Sequence, residues 1–284
     1  MESRRLGRTG HESSVAILGG AAFWESSEEQ ARAGVALAVD RGVNHLDIAP
    51  QYGGAEVVVG PSVPAVRDRL FVAGKTLRAN PEGVEAQFDE TRARLGCDVL
   101  DLYQAHAVTS LDELDRRAAG IERILSLRDR GVTRFAGITG HDLEVATVFL
   151  EALRRYDLDT VMFPVYPRLW ADPSYRESAE ELLAVCRERD LGVMAIKAVA
   201  RRPWSGERPS SPWYEPWTDP GAVGRGISFA LATPGVHAFC TPGDPDLLAT
   251  VLDAAEAWAP LDDGQRDAAV AAMAGEEVIF PIPA

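Results

Sequence analysis

Cysteine is scarce: Cys97, Cys186 and Cys240 are the only three in 284 residues. They are scattered and form no Cys-x-x-Cys pair, which excludes a disulfide framework and a cysteine-based metal site and suits a reducing cytosol. No run of about 18 uncharged apolar residues occurs, and the opening Met1-Glu2-Ser3-Arg4-Arg5 lacks the apolar stretch of an export signal. Positive charge is short as well. Against 43 Asp plus Glu stand 29 Lys plus Arg, a formal net charge of −14, and such a surface repels nucleic-acid phosphates and anionic lipid heads. The expectation is a cytoplasmic protein that binds neither nucleic acid nor membrane. No Gly-x-Gly-x-x-Gly follows a strand-like run, which removes a Rossmann dehydrogenase.

With 46% hydrophobic and 25% charged residues, the composition is that of an ordinary globular chain. Runs rich in β-branched and aliphatic residues fall at 15–18, 43–48, 70–73, 99–103, 135–138, 160–163, 192–196 and 236–240. Between them, apolar residues at helical spacing mark 28–40, 81–95, 111–130, 142–156, 179–189 and 245–258, with weaker helical signals at 55–63 and 222–232. Asn80-Pro81 reads as an N-cap with proline at the first helical position, and Arg41-Gly42 and Arg130-Gly131 as helix stops. No linker or low-complexity tract divides the chain, so 1–284 reads as one domain. Eight alternating β and α units imply a parallel sheet with right-handed crossovers closed into a (β/α)8 TIM barrel.

Two segments stand outside this repeat. Residues 4–14, with Gly7 and Gly10 as turn residues, predict an N-terminal β-hairpin that plugs the barrel floor. The loop after the seventh barrel strand, 201–220, carries five prolines, three tryptophans and Tyr214, a length and composition that suit a cover over a site.

Barrel chemistry sits where the strands end. Four polar residues stand there: Asp47, Tyr52 in the loop that follows it, Lys75 and His106. Taken one at a time they are a helix cap, a surface aromatic, a solvated amine and a rim histidine. Together they are a proton-transfer set. A phenol is a poor acid at neutral pH, but an ammonium within about 4 to 6 Å favours the phenolate and lowers its pKa. Lys75 supplies that field, Asp47 keeps the lysine charged, and a neutral His106 orients a substrate oxygen.

In order and spacing, Leu6-Gly7-Arg8-Thr9-Gly10, Asp47-Ile48-Ala49-Pro50-Gln51-Tyr52-Gly53 and Arg94-Leu95-Gly96 leading to Asp98-Val99-Leu100-Asp101-Leu102-Tyr103-Gln104-Ala105-His106 resemble the aldo-keto reductases, over about 4–258. The resemblance implies a TIM barrel that reduces an aldehyde or ketone reversibly with a nicotinamide cofactor. Tyr52 would be the general acid, Lys75 and Asp47 its tuning pair, and His106 the orienting residue. It also implies cofactor contacts from Gly20, Thr139, His141, Ile196, Lys197, Arg201, Arg202, Thr241, Gly243 and Asp244. NADP(H) is favoured by family habit and NAD(H) remains open, because the loop Thr241-Pro242-Gly243-Asp244-Pro245-Asp246-Leu247 has two carboxylates and no cation.

The sequence departs from the family in two places. Where the family usually has Ser-Asn after the fifth strand, this chain has Thr139-Gly140, so either His141 takes the asparagine's place or that contact is lost. Ile196-Lys197 stand where a ring commonly stacks, as in a bacterial subgroup of small reductases. A metal-dependent TIM-barrel hydrolase is the rival reading, with His45, Asp47, His106 and His141 as its shell, and a non-catalytic cofactor-sensing subunit is another. The preferred reading assigns no metal. Trp24, Trp170 and Trp213 suggest a small-molecule carbonyl substrate with an apolar or ring portion; the oligomeric state is not encoded legibly.

Overall fold

The computed structural model describes residues 1–206 and 212–281. The N-terminal strands β1 (Ser3–Arg5) and β2 (Glu12–Ser14) pair antiparallel, Ser3 opposite Ser14. The next seven strands are β3 (Ala16–Gly19), β4 (His45–Asp47), β5 (Phe71–Thr76), β6 (Leu102–Ala105), β7 (Phe135–Thr139), β8 (Thr160–Pro164) and β9 (Gly192–Ile196). A two-stranded ribbon follows, β10 (Ala200–Arg202) with β11 (Glu215–Pro216), and β12 (Ala238–Cys240) comes last. Strands β3 to β9 and β12 pair in parallel and in chain order, and β12 closes on β3. Each of the eight strand-like runs supplies one barrel strand.

Asp101 accounts for the largest offset at a strand start. The fourth run begins at 99, yet β6 starts only at Leu102, because the Asp101 carboxylate accepts from the Val72 amide at 2.8 Å and pairs with Arg67 and Arg134. A side chain there takes a partner that ladder backbone would otherwise take. Helices Glu28–Asp40 and Pro81–Leu95 have the expected bounds, the first with a Ser27–Gln30 capping box and the second capped by Asn80 and stopped at Gly96. The expected helix 111–130 breaks at Arg117 into Leu111–Arg116 and Ala118–Asp129, and the Arg117 guanidinium reaches the His106 carbonyl at 2.5 Å. Helix Pro173–Glu188 starts six residues before the periodicity at 179 because Asp172 caps the amides of Ser174 and Tyr175. Helices Pro167–Trp170 and Asp263–Met273 were not anticipated. Of the loop 201–220, residues 207–211 lie outside the described residues.

The main core lies between strands and helices, and a second cluster fills the barrel interior. The hairpin closes that interior from below. Leu6 is fully buried against Ile17, Phe71, Leu102, Met162 and Met194. Gly7 makes this approach possible: at φ +49, a Cβ there would stand 2.4 Å from the Gly192 nitrogen at the start of β9. His45 also faces the floor, bonded to Ser13 Oγ at 3.0 Å and edge-on to Phe71. Burial, then the charges of His11 and Lys75, hold its pKa well below the ordinary histidine value. Among the described residues no helix is long and apolar enough to cross a membrane.

Two outcomes test the floor. Leu6→Ala should cost about 2 to 5 kcal/mol in urea denaturation, the range for a buried leucine whose cavity does not collapse. His45 stays neutral when folded, so the unfolded chain binds more protons below about pH 6.5 and stability is lost as the pH falls below that value. Its share is at most about 1.4 kcal/mol per pH unit, and His45→Asn should flatten the wild-type slope between about pH 7 and 5.

Candidate active site

Register brings the polar strand ends together. Gly19 on β3 lies opposite Asp47, and Lys75 on β5 lies opposite Gln104 on β6, so these side chains enter the barrel at neighbouring heights. Lys75 Nζ donates to Asp47 Oδ2 at 2.5 Å and to the Tyr52 hydroxyl at 3.1 Å. Asp47 Oδ1 accepts from the Gln104 amide at 3.1 Å, which satisfies the second carboxylate oxygen. The turn after β4 carries Tyr52 inward. It closes through the Tyr52 amide on the Ala49 carbonyl at 3.0 Å, and then needs Gly53, whose φ is +54 and whose Cβ would stand 2.6 Å from the Trp24 carbonyl. The His106 ring stands edge-on to Tyr52 with 5.6 Å between centroids, and its Nδ1 lies 3.0 Å from Gln51 Oε1.

Electrostatics here depart from the expectation for Tyr52. Lys75 does lower its pKa, but burial acts more strongly and the phenol is pushed up to about 12. The ammonium was expected to win; desolvation of a phenolate in this cavity outweighs it. Burial also disfavours charge on Lys75, yet Asp47 and Tyr52 together raise its pKa above the ordinary lysine value, so it remains an ammonium. His106 is held neutral by burial and by Lys75. A protonated phenol, a protonated amine and a neutral imidazole therefore share one cavity.

That cavity encloses about 320 Å³. Its lining includes Asp47, Tyr52, Lys75, His106, Thr139, His141, Ile196, Lys197, Thr241 and Gly243 from the sequence reading, together with Trp24 and Trp213. Four expected cofactor residues are not brought to it. Arg201 and Arg202 pair with Glu215, Arg201 also with Glu276. Asp244 caps the Asp246 amide, and Gly20 packs where a Cβ would meet Ile48 at 2.7 Å. Trp170 is buried against Tyr175 and Phe229 rather than at the mouth.

Gln51, Gln104 and Cys240 belong to the site and were missed. Gln104 was readable, since it lies two residues before His106, the spacing that puts alternate residues of an extended run on one face. His45 does not join Asp47 as the metal reading required, because it turns to the floor toward Ser13. The missing asparagine has a steric reason: a Cβ at Gly140 would stand 2.4 Å from the Val108 carbonyl. His141, the next residue, lines the cavity, stacks on Phe280, and its buried Nδ1 has no hydrogen-bond partner among the described residues.

The donor set fits a nicotinamide dinucleotide. Thr139 and His141 offer polar groups to an amide, and the Lys197 ammonium has no carboxylate partner among the described residues.

Fold and cavity define a (β/α)8 barrel with a polar cavity at the C-terminal mouth of its strands. The chain belongs to the aldo/keto reductase family, whose model matches residues 16–208. It is 31% identical over 217 residues to L-galactose dehydrogenase of Arabidopsis thaliana, covering 70% of this chain and 66% of that protein. It is 28% identical over 211 residues to D-threo-aldose 1-dehydrogenase of a Pseudomonas species, covering 61% and 60%. The chain thus matches no more than 66% of the length of these two curated relatives. An aldo-keto reductase of Bacillus halodurans in its holo form shares the fold with a TM-score of 0.73 at 21% identity over 99% of both chains. An aldo/keto reductase of Klebsiella pneumoniae in complex with NADP and acetate does so at 0.68 and 20% over 98% of both.

The neutral state of His106 is directly testable. Its ring ¹⁵N signals should not titrate between about pH 5 and 8. Gln51→Glu sets a carboxylate against Nδ1 and should bring a titration into that window; an unchanged spectrum would separate Gln51 from His106.

Proposed function

We propose that the chain is one catalytic domain, a cytoplasmic NAD(P)H-dependent oxidoreductase that reduces the aldehyde or ketone group of a small molecule to the alcohol. The observation that carries this is Lys75 bridging Asp47 and Tyr52 inside a cavity that His106 also lines. When bound, the cofactor supplies the hydride. Thr139 and His141 are the residues to hold its amide end, with Lys197 and the stretch 241–243 toward its charged part.

Tyr52 holds the proton that the substrate oxygen receives. With its pKa near 12 it is fully protonated at neutral pH and releases its proton only as negative charge builds on that oxygen. Lys75 then faces the phenolate at 3.1 Å, and Asp47 keeps the lysine charged while the proton is away. Neutral His106 orients the substrate oxygen. At the rim Trp24 and Trp213 meet edge to face at 5.5 Å, an apolar wall suited to the hydrocarbon or ring part of a substrate.

Tyr52→Phe should leave cofactor affinity nearly unchanged and lower kcat by at least about 100-fold, measured as NAD(P)H consumption against a carbonyl panel. A Phe variant with wild-type turnover would remove Tyr52 from the chemistry. Lys75→Met combined with Asp47→Asn should lose far less than the product of the single losses, because each residue works through the other; multiplicative losses in kcat would show two independent contributions.

Cofactor choice follows from the loop after β12. Two carboxylates and no cation occupy 241–247, and Arg201 and Arg202 are engaged by Glu215. An advantage of NADPH over NADH should therefore stay within about tenfold, or about 1.4 kcal/mol. Tryptophan fluorescence titrations at matched salt measure it, and a thousandfold preference would place a phosphate-binding cation elsewhere.

A further inference from the structure

The chain contains two lysines, Lys75 and Lys197, and both line the same cavity. Their surroundings are opposite. Lys75 is paired with Asp47 at 2.5 Å. The side chain of Lys197, just past the end of β9 at φ +68, makes no ion pair or hydrogen bond among the described residues, and its Nζ lies over the rings of Tyr214 at 4.6 Å and Trp213 at 5.3 Å.

We propose that Lys197 is a carbonyl-trapping amine, whose Nζ condenses with an aldehyde in the cavity to give an imine and water. The nitrogen lone pair adds to the carbonyl carbon, the C=O pair moves to oxygen, and an N–H proton transfers to that oxygen. The resulting carbinolamine expels its hydroxyl with the remaining N–H proton as water, leaving C=N. No oxidant or reductant is consumed.

Such a reaction needs a neutral amine, and the neighbours permit one. Burial lowers the Lys197 pKa to about 8, against a smaller opposing contribution from Cys240. The titratable groups around it are uncharged at neutral pH. Burial raises the thiol of Cys240 on β12 and the phenol of Tyr214, and lowers His141 after β7 to about 4. Among the described residues no anion therefore pairs with the ammonium, which is the setting in which buried lysines become nucleophiles. Lys75, held protonated by Asp47, is the internal control. The α-amine of Met1 lies beside Gly42, ahead of the first residue of β4 and so at the opposite end of the barrel.

The test incubates the cofactor-free protein with benzaldehyde and sodium cyanoborohydride, which reduces the imine to a stable secondary amine, and maps the adduct by peptide mass spectrometry. Benzylation is expected at Lys197, about tenfold faster than at Met1 because the cavity concentrates the aldehyde, and absent at Lys75. Lys197→Arg and Lys197→Met should abolish the cavity adduct. Labelling confined to Met1, equal labelling of both lysines, or an unchanged adduct in the two variants would overturn the assignment. Carbonyl reduction is scored separately by NAD(P)H consumption, so a protein that reduces nothing still tests Lys197.

Discussion

A buried ammonium and a buried carboxylate in contact at the mouth of the barrel set the terms for everything around them. Removing either from water costs several kcal/mol, and their attraction repays that only when the remaining donors and acceptors are also met. Here they are: Gln104 takes the second oxygen of Asp47, and the Tyr52 hydroxyl and the Ile48 carbonyl take further protons of Lys75. The three strands that carry the pair and Gln104, β4, β5 and β6, are adjacent and in register, so the barrel ladder places these groups before any side chain adjusts. Such an arrangement stores charge where a neutral core would be at least as stable, and the proposed chemistry uses that charge.

The same pair separates the two ends of the barrel. Below it, the interior is mostly apolar and sealed by Leu6 and the hairpin; His45 Nε2 has no hydrogen-bond partner there among the described residues, while the floor carboxylates Asp101 and Asp159 hold backbone amides of neighbouring strands and surface arginines. Above it, two groups also remain short of partners among the described residues: Lys197 has no anion, and His141 Nδ1 has no hydrogen-bond partner. Satisfied polar groups fix a fold, whereas unsatisfied ones at a cavity wall are what a ligand can complete.

The barrel was legible because its signals are local and repeated. Eight aliphatic runs and their caps recur along the chain, and each run became a strand even where Asp101 shortened one. The convergence of Asp47, Tyr52, Lys75 and His106 was legible because strand ends in a barrel converge. What sequence could not resolve were competitions. Whether Lys75 or burial governs Tyr52 depends on how dry the cavity is. Whether Arg201 and Arg202 face a ligand depends on Glu215, thirteen or more residues away and brought close only by the β10–β11 ribbon. The Asp172 and Asp262 caps were present in the sequence, but the first turns after Asp172 are mostly polar, so apolar spacing shows only from Ala179, and the helix after Asp262 buries little beyond Met273.

The departure at Gly140 shows how one steric contact redistributes a site. With the Val108 carbonyl 2.4 Å from where its Cβ would stand, position 140 admits no side chain on this backbone. Position 140 therefore supplies no polar side chain, and the next residue, His141, lines the cavity. An imidazole is bulkier than an amide and needs support, which the Phe280 ring gives by stacking at 5.9 Å and 3°. Phe280 in turn is carried by the segment after the helix Asp263–Met273, which is tied down by the Glu276 carbonyl on Arg168 and the Glu276 carboxylate on Arg201. The arginine expected to hold cofactor phosphate thus serves the same cavity from outside, by anchoring the chain that seats His141.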